Sequence, residues 1–133
     1  MARLAWRALA LWTAIIALES VHGVLRRWLL TPRVGDLASR QIGVLIGSML
    51  IFAVTLVFSR WLDARGRRQQ LVVGTAWVGL TLIFEIGLGL ALGVSTRDLA
   101  ADYDLARGGL MPLGLAAMAL SPWAAATLRG RGG

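Results

Sequence analysis

Glutamate, histidine and arginine side chains within an apolar sequence are the groups most able to do chemistry in this chain. Glu19 and Glu85 each interrupt a long apolar run, and His22 follows Glu19 by three residues, on the same face of a helix. A carboxylate inside hydrocarbon costs about 3 kcal/mol or more and normally faces the interior of a helix bundle with a partner. The sequence therefore predicts one buried charge cluster, made of Glu19, His22, Arg26, Arg40, Glu85 and Arg107.

Two arginines of this cluster stand where they could neutralise the glutamates. Arg40 begins the second apolar run and Arg107 precedes the fourth, so both would enter from the end of the bundle that lies nearer the glutamates. The simplest pairing joins Glu19 to Arg40 and Glu85 to Arg107, or crosses the two pairs. The loop above them adds further polar groups to the predicted site, namely Asp102, Tyr103 and Asp104.

Three uses of this cluster fit its residue types. Ion pairs that fix helix register are the first and preferred interpretation, because charges inside membrane bundles are commonly paired. A hydrated pocket is the second, in which Glu19 or Glu85 binds a proton, His22 relays it and the arginines bind an anion or a headgroup. A metal site is the third, because Glu19-x-x-His22 has the spacing of carboxylate-bridged di-iron bundles and a dimer would supply two such motifs.

The residue types also argue against a metal, a cofactor or an enzyme active site. Arginines repel cations and compete for carboxylates, so we expect no metal and no cofactor. The sequence contains no serine, histidine and acid arrangement, no phosphate-binding glycine loop and no second histidine for a haem. We therefore predict no catalytic residues and no enzyme.

The elements that must position these groups are four apolar runs. Of the 133 residues, 57% are hydrophobic and 16% are charged, which is too apolar for a water-soluble domain of this size. Each run approaches the ~20 residues that cross ~30 Å of hydrocarbon, and a segment in lipid must satisfy its own backbone hydrogen bonds as a helix. The sequence predicts an all-α fold, a single four-helix transmembrane domain over 1–133 with spans at about 6–25, 42–59, 71–94 and 110–128.

Arginine distribution predicts the orientation of this bundle. The net charge of +7 does not indicate nucleic-acid binding, because the basic residues flank the apolar runs instead of lining one polar face. Eight arginines fall on the side of the two termini and six on the opposite side. By the positive-inside rule we expect a multi-pass protein of the bacterial inner membrane with both termini in the cytoplasm.

Glycine spacing predicts where helices touch. Gly43 and Gly47, and likewise Gly89 and Gly93, form G-x-x-x-G pairs that permit close backbone approach. Such pairs serve contacts within a bundle or between protomers. The partners we expect are the lipid bilayer and either a second copy of the chain or a larger membrane complex.

The two predicted hairpins share a sparse skeleton of residue types. Its spacings agree within one residue, which indicates either two parallel repeats about an axis along the membrane normal or chance. The matched positions are Trp12, Glu19, Gly23, Arg40 and Gly47 in the first hairpin and Trp77, Glu85, Gly89, Arg107 and Gly114 in the second.

Several polar segments together carry a resemblance to a known group of proteins. They are Glu19-x-x-His22-Gly23, Val34-Gly35-Asp36, Arg40-Gln41-Ile42-Gly43, Phe84-Glu85 and Ala101-Asp102-Tyr103-Asp104 through Arg107-Gly108-Gly109. With them the chain resembles, over nearly its whole length, a set of small bacterial four-helix membrane proteins. The resemblance implies that these segments belong together and implies no activity. Proton-coupled small multidrug carriers are similar in length, but Arg40, Arg107 and the deep Glu85 depart from their pattern.

These observations predict two main functions. We expect a structural or assembly subunit of the membrane, organised around the charge cluster in the outer leaflet. The alternative is a proton-linked carrier or channel for a small solute or anion, and a dimeric carboxylate-bridged metal site is a remote third.

Overall fold

Four long helical stretches build the protein. The computed structural model describes residues 2–93, 95, 97 and 110–128, and every regular element in that part is helical. The elements are α1 (Ala2–Leu25), α2 (Thr31–Val34), α3 (Asp36–Leu62), α4 (Gly66–Ala91) and α5 (Met111–Leu128), with a π-helical turn over Arg26–Leu30 that joins α1 to α2. Four stretches are long and apolar enough to cross a membrane, which confirms the prediction of an all-α, multi-pass membrane protein: Ala2–Val34, Leu37–Leu62, Gly66–Ala91 and Met111–Leu128.

The helices run further than the predicted apolar spans at most ends. The link predicted between residues 25 and 42 is almost entirely helical, and the chain turns at Gly35, whose φ of +89° is one that glycine adopts readily. Pro32 lacks an N–H and follows the π turn, in which the Thr31 N–H donates to the Arg26 carbonyl. Hydrophobicity marks only the part of a helix that lies in hydrocarbon, so polar residues continue the helices beyond it.

A sharp turn joins α3 to α4. Asp63 adopts the left-handed conformation with φ 55° and donates its N–H to the Ser59 carbonyl, which ends α3. The Gln70 side chain is fully buried and donates to the Ala64 carbonyl at 3.1 Å. Arg7 of α1 donates to the Trp61 carbonyl at 2.9 Å, so this turn lies beside the start of α1. We call the half of the bundle that contains both the terminal half. The other half is the distal half.

Apolar packing is concentrated in the terminal half. Trp77 is 0% exposed and donates its indole N–H to the Ala8 carbonyl at 2.9 Å, whereas Trp12 donates in the reverse direction to Thr81 Oγ1 at 3.0 Å. These two bonds join α1 and α4, and both tryptophans belong to the shared hairpin skeleton. The surrounding core consists of Ala8, Leu11, Ile15, Ile51, Leu62, Ala64, Val73, Trp77 and Met118.

The backbones of α4 and α5 approach each other closely at Gly74. A Cβ atom added to Gly74 would overlap the backbone carbonyl of Ala119. Gly74 has no glycine four residues away, so G-x-x-x-G spacing does not identify it. The contact shows that α4 and α5 pack through main-chain atoms at this level.

We expect Gly74→Ala to lower the free energy of unfolding by about 1–3 kcal/mol, because a clash with backbone cannot be relieved by a side-chain rotation. This loss would outweigh the ~1 kcal/mol by which alanine favours a helix over glycine. Gly79→Ala is the matched control, since its added Cβ would meet open space on the same helix. Thermal unfolding in detergent micelles measures both, and equal stability of the two variants would contradict the backbone contact.

Candidate functional site

A cavity of about 280 Å³ lies in the distal half of the bundle and is lined by α1, α3, α4 and α5. Apolar side chains from the edge of the core close its inner end, among them Ile16, Ile51 and Met118. Its wall also carries polar and charged side chains, which are Glu19, His22, Arg26, Arg27, Arg40, Gln41, Ser48, Thr81 and Glu85. We call this cavity the distal chamber.

Most of the predicted charge cluster comes together in the distal chamber. Glu19, His22, Arg26, Arg40 and Glu85 all line it, although they come from three different helical stretches. The remaining predicted site residues lie outside the residues that the structure describes, and they are Asp102, Tyr103, Asp104 and Arg107.

Glu19 does not form the simpler of the two predicted pairings within the described residues, and the crossed pairing, with Arg107, lies outside them. Its Oε2 lies 3.9 Å from Nδ1 of His22, one helical turn along α1, and within the described residues it forms no ion pair with Arg40. The reason is depth, because the α3 residue opposite the Glu19 carboxylate is Gly47. Arg40 lies seven residues before Gly47, about 10 Å nearer the distal end of α3.

The second carboxylate oxygen of Glu19 is buried and accepts no hydrogen bond from the described residues. Its Oε1 has no hydrogen-bond partner in residues 2–93, 95, 97 and 110–128. A buried acceptor without a donor costs about 1–3 kcal/mol, and more when it is charged. A proton on Glu19, or a donor in the distal chamber, would remove that cost.

Arg26 is held in a fixed position by a small hydroxyl network. Its Nη1 donates to Ser39 Oγ at 3.0 Å, and Ser39, which is 0% exposed, shares a 2.7 Å hydrogen bond with Thr31 Oγ1. Thr31 in turn donates to the Arg26 carbonyl at 3.3 Å. Sequence analysis did not identify Ser39 or Thr31, because single hydroxyl residues in a helical run carry no spacing signal.

The first glycine pair makes room for polar side chains. A Cβ at Gly43 would lie 2.6 Å from Arg26 Cδ, and one at Gly47 would lie 2.7 Å from Glu19 Oε2. Both glycines therefore face α1, as expected of helix contacts, but what they accommodate is the side chains that line the distal chamber. The pair shapes the site as well as the packing.

The second glycine pair divides into two different roles. Gly89 is buried within α4. Gly93 lies beyond the end of α4 with φ +80°, and an added Cβ there would meet nothing within 4 Å. This glycine serves the left-handed turn that ends the helix, and a helix contact at Gly93 stays a prediction.

Charge in the distal chamber is mixed but not balanced. Among the described lining residues, Arg26, Arg27 and Arg40 face two carboxylates, Glu19 and Glu85. With His22 neutral, these groups sum to one positive charge. Net charge next to hydrocarbon is costly, and the surplus on these described groups is one that a small anion would neutralise.

Within the part of the chain that the structure describes, the metal interpretation has too few ligands. Glu19 and His22 are neighbours, but the described residues bring together no group of three histidine or acidic side chains. A carboxylate-bridged centre of the predicted kind would need the corresponding residues of a second copy.

Comparisons with protein-family models, with curated proteins and with solved structures gave no match to this chain. What can be said about its activity therefore rests on the distal chamber and the helices that form it.

Proposed function

We propose that this membrane protein is a proton-linked carrier of small anions, with the distal chamber as its binding site. The observation that carries the proposal is the chamber itself: acidic, basic and imidazole side chains line one cavity of about 280 Å³. The volume is near the lower end of ligand pockets, which suits a solute of a few atoms.

Each side of the chamber has a part in the proposed cycle. The guanidinium groups of Arg26 and Arg40 bind the anion, since arginine presents several donors to an oxyanion. Glu19 takes up and releases the proton, and His22 is close enough to exchange it. Glu85 faces them from α4, while α5 contributes uncharged lining residues, which are Met111, Gly114, Leu115 and Met118.

The apolar core supplies the barrier that a carrier requires. Ile16, Ile51 and Met118 separate the chamber from the terminal half, so an anion bound beside Glu19 would face a closed floor. Transport in this proposal requires the helices to separate around that floor and to close the distal side. A proton and a monovalent anion that bind together leave the net charge of the chamber unchanged, so the two can bind together at little electrostatic cost.

The orientation forms part of the same proposal. We place the protein in the bacterial inner membrane with both termini in the cytoplasm, so that the distal chamber faces outward. The chain has no cysteine, so single cysteines can report sidedness. An impermeant maleimide added to intact cells should label Arg33→Cys and spare Arg67→Cys, and the opposite pattern would reverse the orientation.

Flux into liposomes tests the proposed activity. Purified protein is reconstituted with a pH-sensitive dye inside, and chloride, nitrate or phosphate is added with an inward proton gradient. We expect at least one of these anions to enter and to acidify the lumen. Arg40→Gln should reduce the rate about tenfold or more, because the variant loses one charged hydrogen-bond donor to the anion.

Arg33→Gln is the matched control for this experiment. Arg33 lies at the same end of the bundle but is exposed and does not line the chamber, so its rate should equal that of the unmodified protein. No flux of any of the three anions would overturn the proposal. If the purified protein then retains another membrane protein as a partner, the structural-subunit interpretation is favoured.

Gly47→Ala should alter the activity more than the stability. The added methyl group would displace the Glu19 carboxylate, the flexible end of a side chain, while alanine favours the helix by ~1 kcal/mol. We expect anion flux to fall severalfold with little change in the unfolding temperature. Gly79→Ala should leave the flux unchanged, and equal flux in both variants would argue against a role for the Glu19 position.

A further inference from the structure

A second cavity lies at the opposite end of the bundle, beside the start of α1 and the turn between α3 and α4. It measures about 170 Å³, which leaves room for a group of about five heavy atoms. Its wall is mainly polar and basic, and consists of Arg3, Leu4, Arg7, Leu62, Asp63, Arg65 and Gln69. We call it the terminal pocket, and none of its residues lines the distal chamber.

Arg7 is fixed in place at this pocket. Its Nη1 donates to the Trp61 carbonyl at 2.9 Å, and its guanidinium carbon lies 5.9 Å from the ring centre of Trp6 and 5.5 Å from that of Trp61. The two indole rings meet edge to face at 5.6 Å. Both rings lie within the distance for cation–π attraction, so the guanidinium loses little freedom when it binds an anion.

Arg7 also has hydrogen-bonding capacity left over. Its Nε is buried and has no acceptor in the part of the chain that the structure describes. An unsatisfied buried donor is costly, and an oxyanion is the strongest acceptor for a guanidinium. The position therefore suits an arginine that completes its hydrogen bonds with a ligand.

The charge around Arg7 favours the same kind of ligand. Arg65 donates to Asp63 at 3.1 and 3.3 Å, and this contact raises the pKa of the Arg65 guanidinium above its ordinary value. Among the described lining residues, Arg3, Arg7 and Arg65 outweigh Asp63 by two positive charges. A group with one or two negative charges would neutralise that surplus.

We propose that the terminal pocket binds a phosphate group, as an anionic lipid headgroup or as free phosphate. Tryptophans at helix ends commonly lie at the level of lipid headgroups, and basic pockets between membrane helices bind anionic headgroups. Trp6 and Trp61 are 55% and 39% exposed, and each is next in sequence to a residue that lines the pocket. The site is independent of anion transport, because the distal chamber lies on the other side of the core.

Native mass spectrometry of the full chain in detergent tests this proposal. The probes are phosphatidylglycerol, a diacylglycerol with the same acyl chains but no phosphate, and inorganic phosphate. We expect Arg3→Gln and Arg7→Gln each to weaken phosphate-dependent binding about fivefold. Arg67→Gln is the matched control, since Arg67 is an exposed arginine at the same end that does not line the pocket.

The outcomes separate the two sources of the phosphate. Binding of phosphatidylglycerol alone identifies a headgroup site, binding of inorganic phosphate alone identifies a free-anion site, and competition between them identifies a shared one. Arg7→Gln also removes the bond to Trp61, so Arg3→Gln, which changes an exposed residue, provides the second measurement. The proposal is overturned if neither phosphate probe binds, or if Arg67→Gln weakens binding as much as the two pocket variants.

Discussion

Replacing Glu19 by glutamine is expected to abolish proton-linked anion flux while leaving the fold at least as stable. Glutamine keeps the shape of the side chain but cannot take up and release a proton during transport. The carboxylate it replaces is half-buried, with one buried oxygen unsatisfied in the described residues and the other 3.9 Å from His22. Removing such a charge also removes its desolvation cost, so the free energy of unfolding should stay the same or rise.

Flux and unfolding are measured on the same preparations of Glu19→Gln and Ser20→Ala. Ser20 is exposed at the next position of α1, so its variant controls for disturbance of the helix without touching the distal chamber. Unchanged proton-linked flux in Glu19→Gln would remove Glu19 from the mechanism. A loss of stability together with flux would instead indicate that the carboxylate serves mainly to hold the helices.

Trp77→Ala should lower the free energy of unfolding by about 3–5 kcal/mol. Trp77 is 0% exposed at the centre of the core, so its removal leaves a large cavity and strands the Ala8 carbonyl that accepts its indole N–H at 2.9 Å. The contact joins α1 to α4, and these helices carry Glu19 and Glu85. Stability is followed by thermal unfolding in detergent or by resistance to a chemical denaturant.

Two further variants separate the contribution of the hydrogen bond from that of packing and provide a control. Trp77→Phe retains most of the packing but loses the hydrogen bond, so it should cost about 1–3 kcal/mol. Trp28→Ala should cost little, because Trp28 is 74% exposed. A Trp77→Ala protein as stable as Trp28→Ala would contradict the position of the core.

The architecture was predictable because lipid restricts the choices. Four apolar runs of suitable length can only be spanning helices, and the structure contains four. Helix ends were less predictable, since the turn at Gly35 was recognisable from its glycine but the polar residues on either side of it are helical. Hydrophobicity reports the depth of a segment in the membrane and not where its backbone changes direction.

The members of the site were more predictable than their contacts. Burial cost and helical spacing identify Glu19, His22 and Glu85 as residues of one interior region, and all three line the distal chamber. Their partners depend on the relative height of neighbouring helices, which the sequence does not specify. For this reason Gly47 and not Arg40 faces Glu19.

The packing contacts also could not be predicted from spacing patterns in the sequence. Gly74 and Ser39 have clear roles in the structure, but neither belongs to a spacing pattern. A glycine that touches a neighbouring backbone, or a hydroxyl that fixes an arginine, becomes recognisable only when the helices are assembled.

The central claim is that a polar, solvent-accessible chamber lies within the distal half of the bundle. Cysteine accessibility tests it directly, because the chain has no cysteine of its own and Ser48 and Met49 are neighbours on α3 at nearly the same depth. Ser48 lines the chamber, whereas Met49 is 70% exposed on the outer surface of the bundle, where lipid would cover it. A negatively charged, membrane-impermeant methanethiosulfonate should modify Ser48→Cys and leave Met49→Cys unmodified in the membrane. An unreactive Ser48→Cys in a folded protein would contradict the chamber.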